Sequence, residues 1–218
     1  MKRVSFIISL IVCIGGIATL AHMNYTLTPD YLWFIYPGFG LIWYPVTMYY
    51  IVNRNFKQYA IAGCLLINAF LMMTNYMLVP DHPWYMYPSM LILWWPIVMY
   101  SGKRAKTFKF ALMSSIAIIF YYVGLNLFIS PIHPWAIYPT FAILWWPISL
   151  YFAKKKDGFG FSVVGSMLIA SFFGIINYIM TPAILWSIYP IFAVGWWPLI
   201  MYYFGRKKKK TNSLNESN

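Results

Sequence analysis

The stretch NYMLVPDHPWYMYPSMLILWWPIVMY, residues 75–100, carries the pattern that decides the fold. It opens on Asn75, reaches Pro80, passes Trp84 and the pair Tyr87-Pro88, and closes on Trp94-Trp95-Pro96 and Tyr100. One period of 51 residues later it reads NLFISPIHPWAIYPTFAILWWPISLY, and the same columns return without insertion at residues 24–49 and 177–202. The columns are Asn24, Asn75, Asn126 and Asn177; Tyr36-Pro37, Tyr87-Pro88, Tyr138-Pro139 and Tyr189-Pro190; and Pro45, Pro96, Pro147 and Pro198. A fixed period of this length means one supersecondary unit copied in series. The repeats fall at residues 1–55, 56–106, 107–157 and 158–208.

Composition sets the solvent of that unit. Hydrophobic residues make up 61% of the chain and charged residues 9%, against about 25% charged in soluble domains. Every repeat holds two apolar stretches, at 4–24, 59–79, 110–130 and 161–181, then at 34–52, 85–101, 136–153 and 187–204. Each is close to the ~20 residues a helix needs to cross ~30 Å of hydrocarbon. In lipid the backbone must bond to itself, so helices are the expected form. The sequence predicts an all-α integral membrane protein with eight transmembrane helices. They form four tandem hairpins that enter the membrane in the same sense, as parallel repeats about an axis along its normal. A pseudo-fourfold ring is the simplest closed packing of four such copies. Residues 1–210 form a single transmembrane domain, and 211–218 read as a short polar tail, disordered and cytoplasmic.

The sixteen Lys and Arg residues fall on one side of this array. They are Lys2, Arg3, Arg54, Lys57, Lys103, Arg104, Lys106, Lys109, Lys154 to Lys156 and Arg206 to Lys210, while the opposite loops around Asp30, Asp81, Ile132 and Ala183 carry none. That bias predicts a multi-pass plasma-membrane protein with both termini cytoplasmic. The net charge of +12 then needs no nucleic acid: the cytoplasmic turns attract anionic lipid headgroups at about 1 kcal/mol per charge. Lys2-Arg3 before an apolar run resembles a signal peptide, yet Asn24 and Pro29 stand in register with internal repeats. The first segment therefore reads as helix one of the array.

Inside the spans the columns define candidate sites. Cys13 and Cys64 share a column with Ser115 and Ser166, and four residues earlier stand Ser9, Ala60, Ala111 and Ser162. Such small-xxx-small pairs let helix backbones approach closely in lipid, and serine at half the positions argues against a redox role. The four Asn residues either bond carbonyls at a helix end or ring a vestibule and touch a ligand. Trp33, Trp84, Trp135 and Trp186 fit an interfacial belt. The second proline lies eight residues beyond Tyr-Pro, about 12 Å deeper. It follows Trp43-Tyr44, Trp94-Trp95, Trp145-Trp146 and Trp196-Trp197, too deep for a belt. Each deep proline removes a donor from the carbonyl four residues back, at Leu41, Ile92, Ile143 and Val194. Either an indole N–H from an adjacent helix satisfies that carbonyl, making a Trp-Pro latch, or the aromatics line a cavity for a lipid, an amphipathic molecule or a quaternary ammonium cation.

No Asp, Glu, Lys or Arg lies within a predicted span, which leaves no buried proton relay or ion-coupled carboxylate. His82 and His133 share a column, with Asp81 beside the first, but Tyr31 and Ile184 fill it elsewhere. A metal site needs more converging ligands than that, and no nucleophile-base pair or phosphate loop is present. The expectation is a non-enzymatic protein without metal or cofactor.

The unit resembles the bacterial 2TM domain, a hairpin found alone and at the front of some sensor proteins. Repeat two carries the likeness, through Asn68, Asn75 to Pro80, Pro83-Trp84, Tyr87-Pro88 and Trp94. Where that family tends to continue with a glycine-rich stretch, this chain has Trp-Trp-Pro. The resemblance implies the hairpin topology and a hint of sensing or regulation, and transfers no site. Two functions follow from the residues. The first is a membrane module that binds a lipid-like or amphipathic ligand, or a membrane-protein partner, in a regulatory, immunity or stress role. The second is a small channel or facilitator with the Asn and Trp columns along its axis.

Overall fold

A computed structural model describes the backbone of residues 2–216 and the side chains of residues 4–204. The side chains of Lys2, Arg3 and Arg206 to Lys210, which contribute to the expected charge bias, lie outside that range. The described chain is all-helical. Its helices are α1 (Lys2–Leu27), α2 (Ile35–Val52), α3 (Phe56–Leu78), α4 (Met86–Ser101), α5 (Phe108–Ile129), α6 (Ile137–Lys155), α7 (Gly158–Met180) and α8 (Ile188–Glu216), with a 3-10 turn at Gly102–Lys106. Every predicted apolar stretch is a helix. Four of them, α1, α3, α5 and α7, are long and apolar enough to cross a membrane. Of the even helices, α2, α4 and α6 are shorter than the odd ones, with 18, 16 and 19 residues, the shortest about 24 Å long at ~1.5 Å per residue. Their Trp, Tyr and Pro columns also lower the mean hydropathy.

The chain divides into two compact units, Met1–Gly102 and Lys103–Asn218, each holding two hairpins. Within each unit the hairpin partners pack on one another, and the second helix packs on the third: α2 on α3, α6 on α7. The division coincides with a break in the repeat. Arg54 and Lys156, two periods apart, both turn the chain with φ of 53°. The intervening connection uses Gly102 at φ 53° and the 3-10 turn instead. Only glycine takes that angle without a Cβ penalty.

The distribution of side chains is inverted relative to a water-soluble protein. Ser9, Asn24, Thr74, Asn75, Ser114, Ser115, Asn126, Ser162 and Asn177 are buried, while Ile14, Leu65, Met113, Phe120, Phe128 and Met167 stand exposed. Burying serine and asparagine while presenting Phe and Leu outward is unfavourable in water and natural in hydrocarbon. Near the basic turns of each unit, Tyr49, Tyr151 and Tyr202 meet the rings of Phe6, Phe108 and Phe159. Repeat two has Lys57 in that phenylalanine column, and its ammonium sits 5.3 Å from the centre of the Tyr100 ring. A cation–π contact replaces a ring pair.

One expectation is corrected by the backbone. The segment from Thr211 reads as a disordered tail, but α8 continues helical to Glu216. No proline follows Pro198 to end it, and the lysine run consists of good helix formers.

Candidate functional site

Each hairpin is closed at its unpaired end by one asparagine. Asn24 Nδ2 donates to the carbonyls of Thr28 and Tyr31, both at 2.8 Å, and its Oδ1 accepts from the Phe34 N–H at 3.0 Å. Asn75 does the same with Val79, His82 and Tyr85. Asn126 repeats it with Ser130, His133 and Ala136, and Asn177 with Thr181, Ile184 and Ser187. All four side chains are buried. Both amide donors and one acceptor position are therefore spent on joining the end of an odd helix to the start of the next. The geometry is that of a loop clamp. Three of the loop tryptophans brace the same turn, Trp33 on the Thr28 hydroxyl, Trp135 on Ser130 and Trp186 on Thr181. Repeat two has Val79 in the hydroxyl column. His82 Nε2 lies 3.1 Å from the Tyr87 hydroxyl, a loop contact. Among the described residues, no three His, Cys, Asp or Glu side chains are placed to hold a metal.

In the second unit the carbonyls freed by Pro147 and Pro198 are reached by serine, not by the indole of the latch alternative. Ser115 Oγ donates to the Ile143 carbonyl at 3.4 Å, and Ser166 Oγ to the Val194 carbonyl at 3.1 Å. Those are two of the four carbonyls that proline deprives of a donor. The small-residue column of the odd helix, rather than an indole, reaches them. An indole is too bulky for the close backbone approach that brings a serine within range. Cys13 and Cys64 stand in this column in the first unit, both buried.

The tryptophans are instead packing elements, drawn from alternate columns of successive hairpins. A Cβ built on Gly63 would stand 2.6 Å from Trp95 Cζ3 and 3.0 Å from Trp43 Cη2. On Gly165 it would stand 2.7 Å from Trp197 Cζ3 and 3.0 Å from Trp145 Cη2. Two indole edges thus close on one glycine, whose missing side chain makes the room. The remaining members of the paired columns go elsewhere. Trp146 packs edge-on against Phe110, Trp196 is 53% exposed, and the Trp94 indole nitrogen is buried without a hydrogen-bond partner. Within the second unit, Trp145 and Trp197 meet at Gly165 while Trp146 lies against Phe110.

What sequence reasoning missed is a second period of 102 residues. Phe39 stacks on Phe70 with centroids 4.0 Å apart and planes at 11°, and Phe141 stacks on Phe172 at 4.0 Å and 19°. Tyr36 and Tyr138 meet those same rings edge-on. Gly63 and Gly165 keep the interval, while the intervening members of their column are Val12 and Ser114. That alternation in the glycine column, and Thr19 and Tyr121 alternating with Phe70 and Phe172, is the signal by which the nested repeat was legible.

Beside each Phe–Phe stack, toward the asparagine end, lies an apolar hollow. In the second unit it is a groove of about 420 Å³ between α5, α6 and α7. Its lining is Ile119, Val123, Asn126 and Leu127, then Pro134, Ala136, Ile137, Thr140, Phe141 and Leu144, and finally Leu168, Ser171, Phe172 and Ile175. In the first unit the equivalent residues Ile17, Phe34, Ile35, Gly38, Phe39, Ile42, Phe70 and Met73 enclose only about 170 Å³. Two other hollows have fewer helices around them: one of about 460 Å³ between α1 and α2, beside Cys13 and Pro45, and one of about 470 Å³ under the α6–α7 turn. The latter includes Asp157, whose carboxylate is occupied in capping the Gly160 N–H at 2.8 Å.

These features define an all-helical membrane protein with an internally repeated, aromatic-rich framework. Beyond that class, no family model, curated protein or solved structure matches the chain.

Proposed function

We propose that this chain is a non-enzymatic multi-pass membrane protein that holds a lipid-like or amphipathic molecule, or a membrane-protein partner, in a regulatory, immunity or stress role. The observation that supports it best is the groove between α5, α6 and α7, whose walls are almost entirely carbon. Its only polar side chains are Thr140, Ser171 and the already clamped Asn126. A site of this composition favours hydrocarbon and offers no charge to a polar substrate.

In the same proposal all eight helices cross the plasma membrane. The basic turns at Arg54, Lys103 to Lys109 and Lys154 to Lys156 face the cytoplasm and anionic headgroups, and the asparagine loops face outward. The pseudo-fourfold closure expected from the short period, and the likeness to the 2TM domain, belong to this reading as well.

The test is lipid retention. Protein purified in mild detergent and stripped of bulk lipid would be analysed by native mass spectrometry and by lipid extraction. A defined complement of bound lipid or amphiphile is the expected result. Protein that carries none and takes up none on reconstitution would overturn the proposal. Solute flux through proteoliposomes would redirect it to a facilitator.

A further inference from the structure

We infer that the groove of the second unit is a binding site for one acyl chain of a bilayer lipid, and that residue Ala136 holds it open. The inference rests on the ligand-binding reading above and deepens it by naming the occupant, the place and the residue that decides access.

The two units provide the comparison. Position 136 is two periods after position 34, and Phe34 lines the small hollow where Ala136 lines the large one. Phe34 is braced by Tyr25, with ring centroids 6.1 Å apart. The second unit has Leu127 in the Tyr25 column, and it lines the groove. The clamp at the two sites is the same: the Phe34 N–H bonds to Asn24 Oδ1 at 3.0 Å, and the Ala136 N–H to Asn126 Oδ1 at 3.1 Å. The clamp and the stacked phenylalanines are shared, and the remaining lining changes are Gly38 to Thr140, Ile42 to Leu144 and Met73 to Ile175, none of which removes a ring. The change in volume from about 170 to about 420 Å³ is therefore assigned to the aromatic side chains lost at positions 34 and 25.

The occupant follows from shape and chemistry. The groove runs along α6 from Ala136 to Leu144, about 12 Å at ~1.5 Å per residue. One leaflet of hydrocarbon is about 15 Å deep, half of the ~30 Å core. The groove starts at the interfacial loop beside Pro134, where a lipid's ester region would lie, and descends into carbon. None of its lining residues is charged, so an ionised headgroup must stay outside and only the chain can enter. Apolar side chains from three helices would replace lipid neighbours around that chain, which favours residence through packing rather than through water exclusion.

The experiment uses full-length protein in nanodiscs made with phosphatidylcholine carrying a diazirine on one acyl chain, with crosslinked positions mapped by mass spectrometry. Wild-type protein should be labelled at Ile119, Leu144 and Leu168 above the exposed Phe128. Ala136→Phe should reduce groove labelling to the level of Phe128, and Phe34→Ala should create new labelling around Ile17 and Ile42. The first variant introduces a side chain that the fold accommodates at position 34, and melting temperatures of both variants check that they fold. Unchanged groove labelling in Ala136→Phe, with Phe34→Ala silent, overturns the inference even if wild-type protein retains lipid, which leaves the broader reading standing. Absence of any retained or crosslinked lipid removes both. Labelling of the groove by a co-purified protein helix in place of lipid would also overturn it.

Discussion

Phe34 and Ala136 occupy the same column of the repeat, hang from the same asparagine clamp, and leave hollows of about 170 and 420 Å³ beside the same stacked phenylalanine pair. Elsewhere the units differ in the same direction. Tyr59 in the first unit bonds its hydroxyl to Thr47 at 3.0 Å, whereas Phe161 in the second lines the hollow under the α6–α7 turn, beside Ser149. At the deep prolines the difference is chemical: buried cysteines in the first unit, hydrogen-bonding serines in the second. The residues that set backbone geometry recur at every copy or every second copy. Those that only fill space are free to diverge, and function in a duplicated scaffold is most readily gained there.

Breaking the shared framework should produce the largest effects, equal in both units. Asn75→Ala and Asn177→Ala each remove three hydrogen bonds at a buried loop, and should each cost about 3 kcal/mol, since unsatisfied buried groups cost roughly 1–3 kcal/mol each. Reversible unfolding in mixed micelles would measure it; a loss below ~0.5 kcal/mol in either variant would show that the clamp carries little. Gly63→Ala and Gly165→Ala come next, expected to cost about 1–3 kcal/mol by overpacking against two indoles. The sign is informative, because alanine in an open helix would instead gain up to ~1 kcal/mol over glycine.

The contrast between the units is sharpened by smaller changes. Ser166→Ala should cost about 0.6–2 kcal/mol, the range for an interhelical hydrogen bond in a membrane. The reciprocal Cys64→Ser should stabilise the first unit by a few tenths of a kcal/mol up to about 0.6, if its hydroxyl reaches the Ile92 carbonyl as Ser166 reaches Val194. A destabilised Cys64→Ser variant would indicate that the first-unit column packs differently. The amide I′ band of a variant with a 13C-labelled carbonyl at Ile92 would report the new bond directly.

Much of this was legible in the chain. The 51-residue interval, the apolar stretches and the basic turns predict helices and hairpins, because period and composition are local properties that the backbone must obey in any solvent. Asn75 and its copies were recognisable as helix-end residues, although nothing in their spacing distinguishes a clamp from a ligand contact. Trp94-Trp95 and their copies were misleading for a definite reason: adjacent residues on a helix point about 100° apart, so neighbours in sequence need not share a partner.

By itself, then, the sequence determined the helices and their pairing into hairpins, which follow from repetition and hydropathy. The tertiary structure alone decided which serine reaches which proline-freed carbonyl, which two indoles meet over Gly63, and that the hollow beside Ala136 is larger than the one beside Phe34. Those outcomes depend on contacts between helices distant along the chain, where a single ångström separates a filled space from an open one.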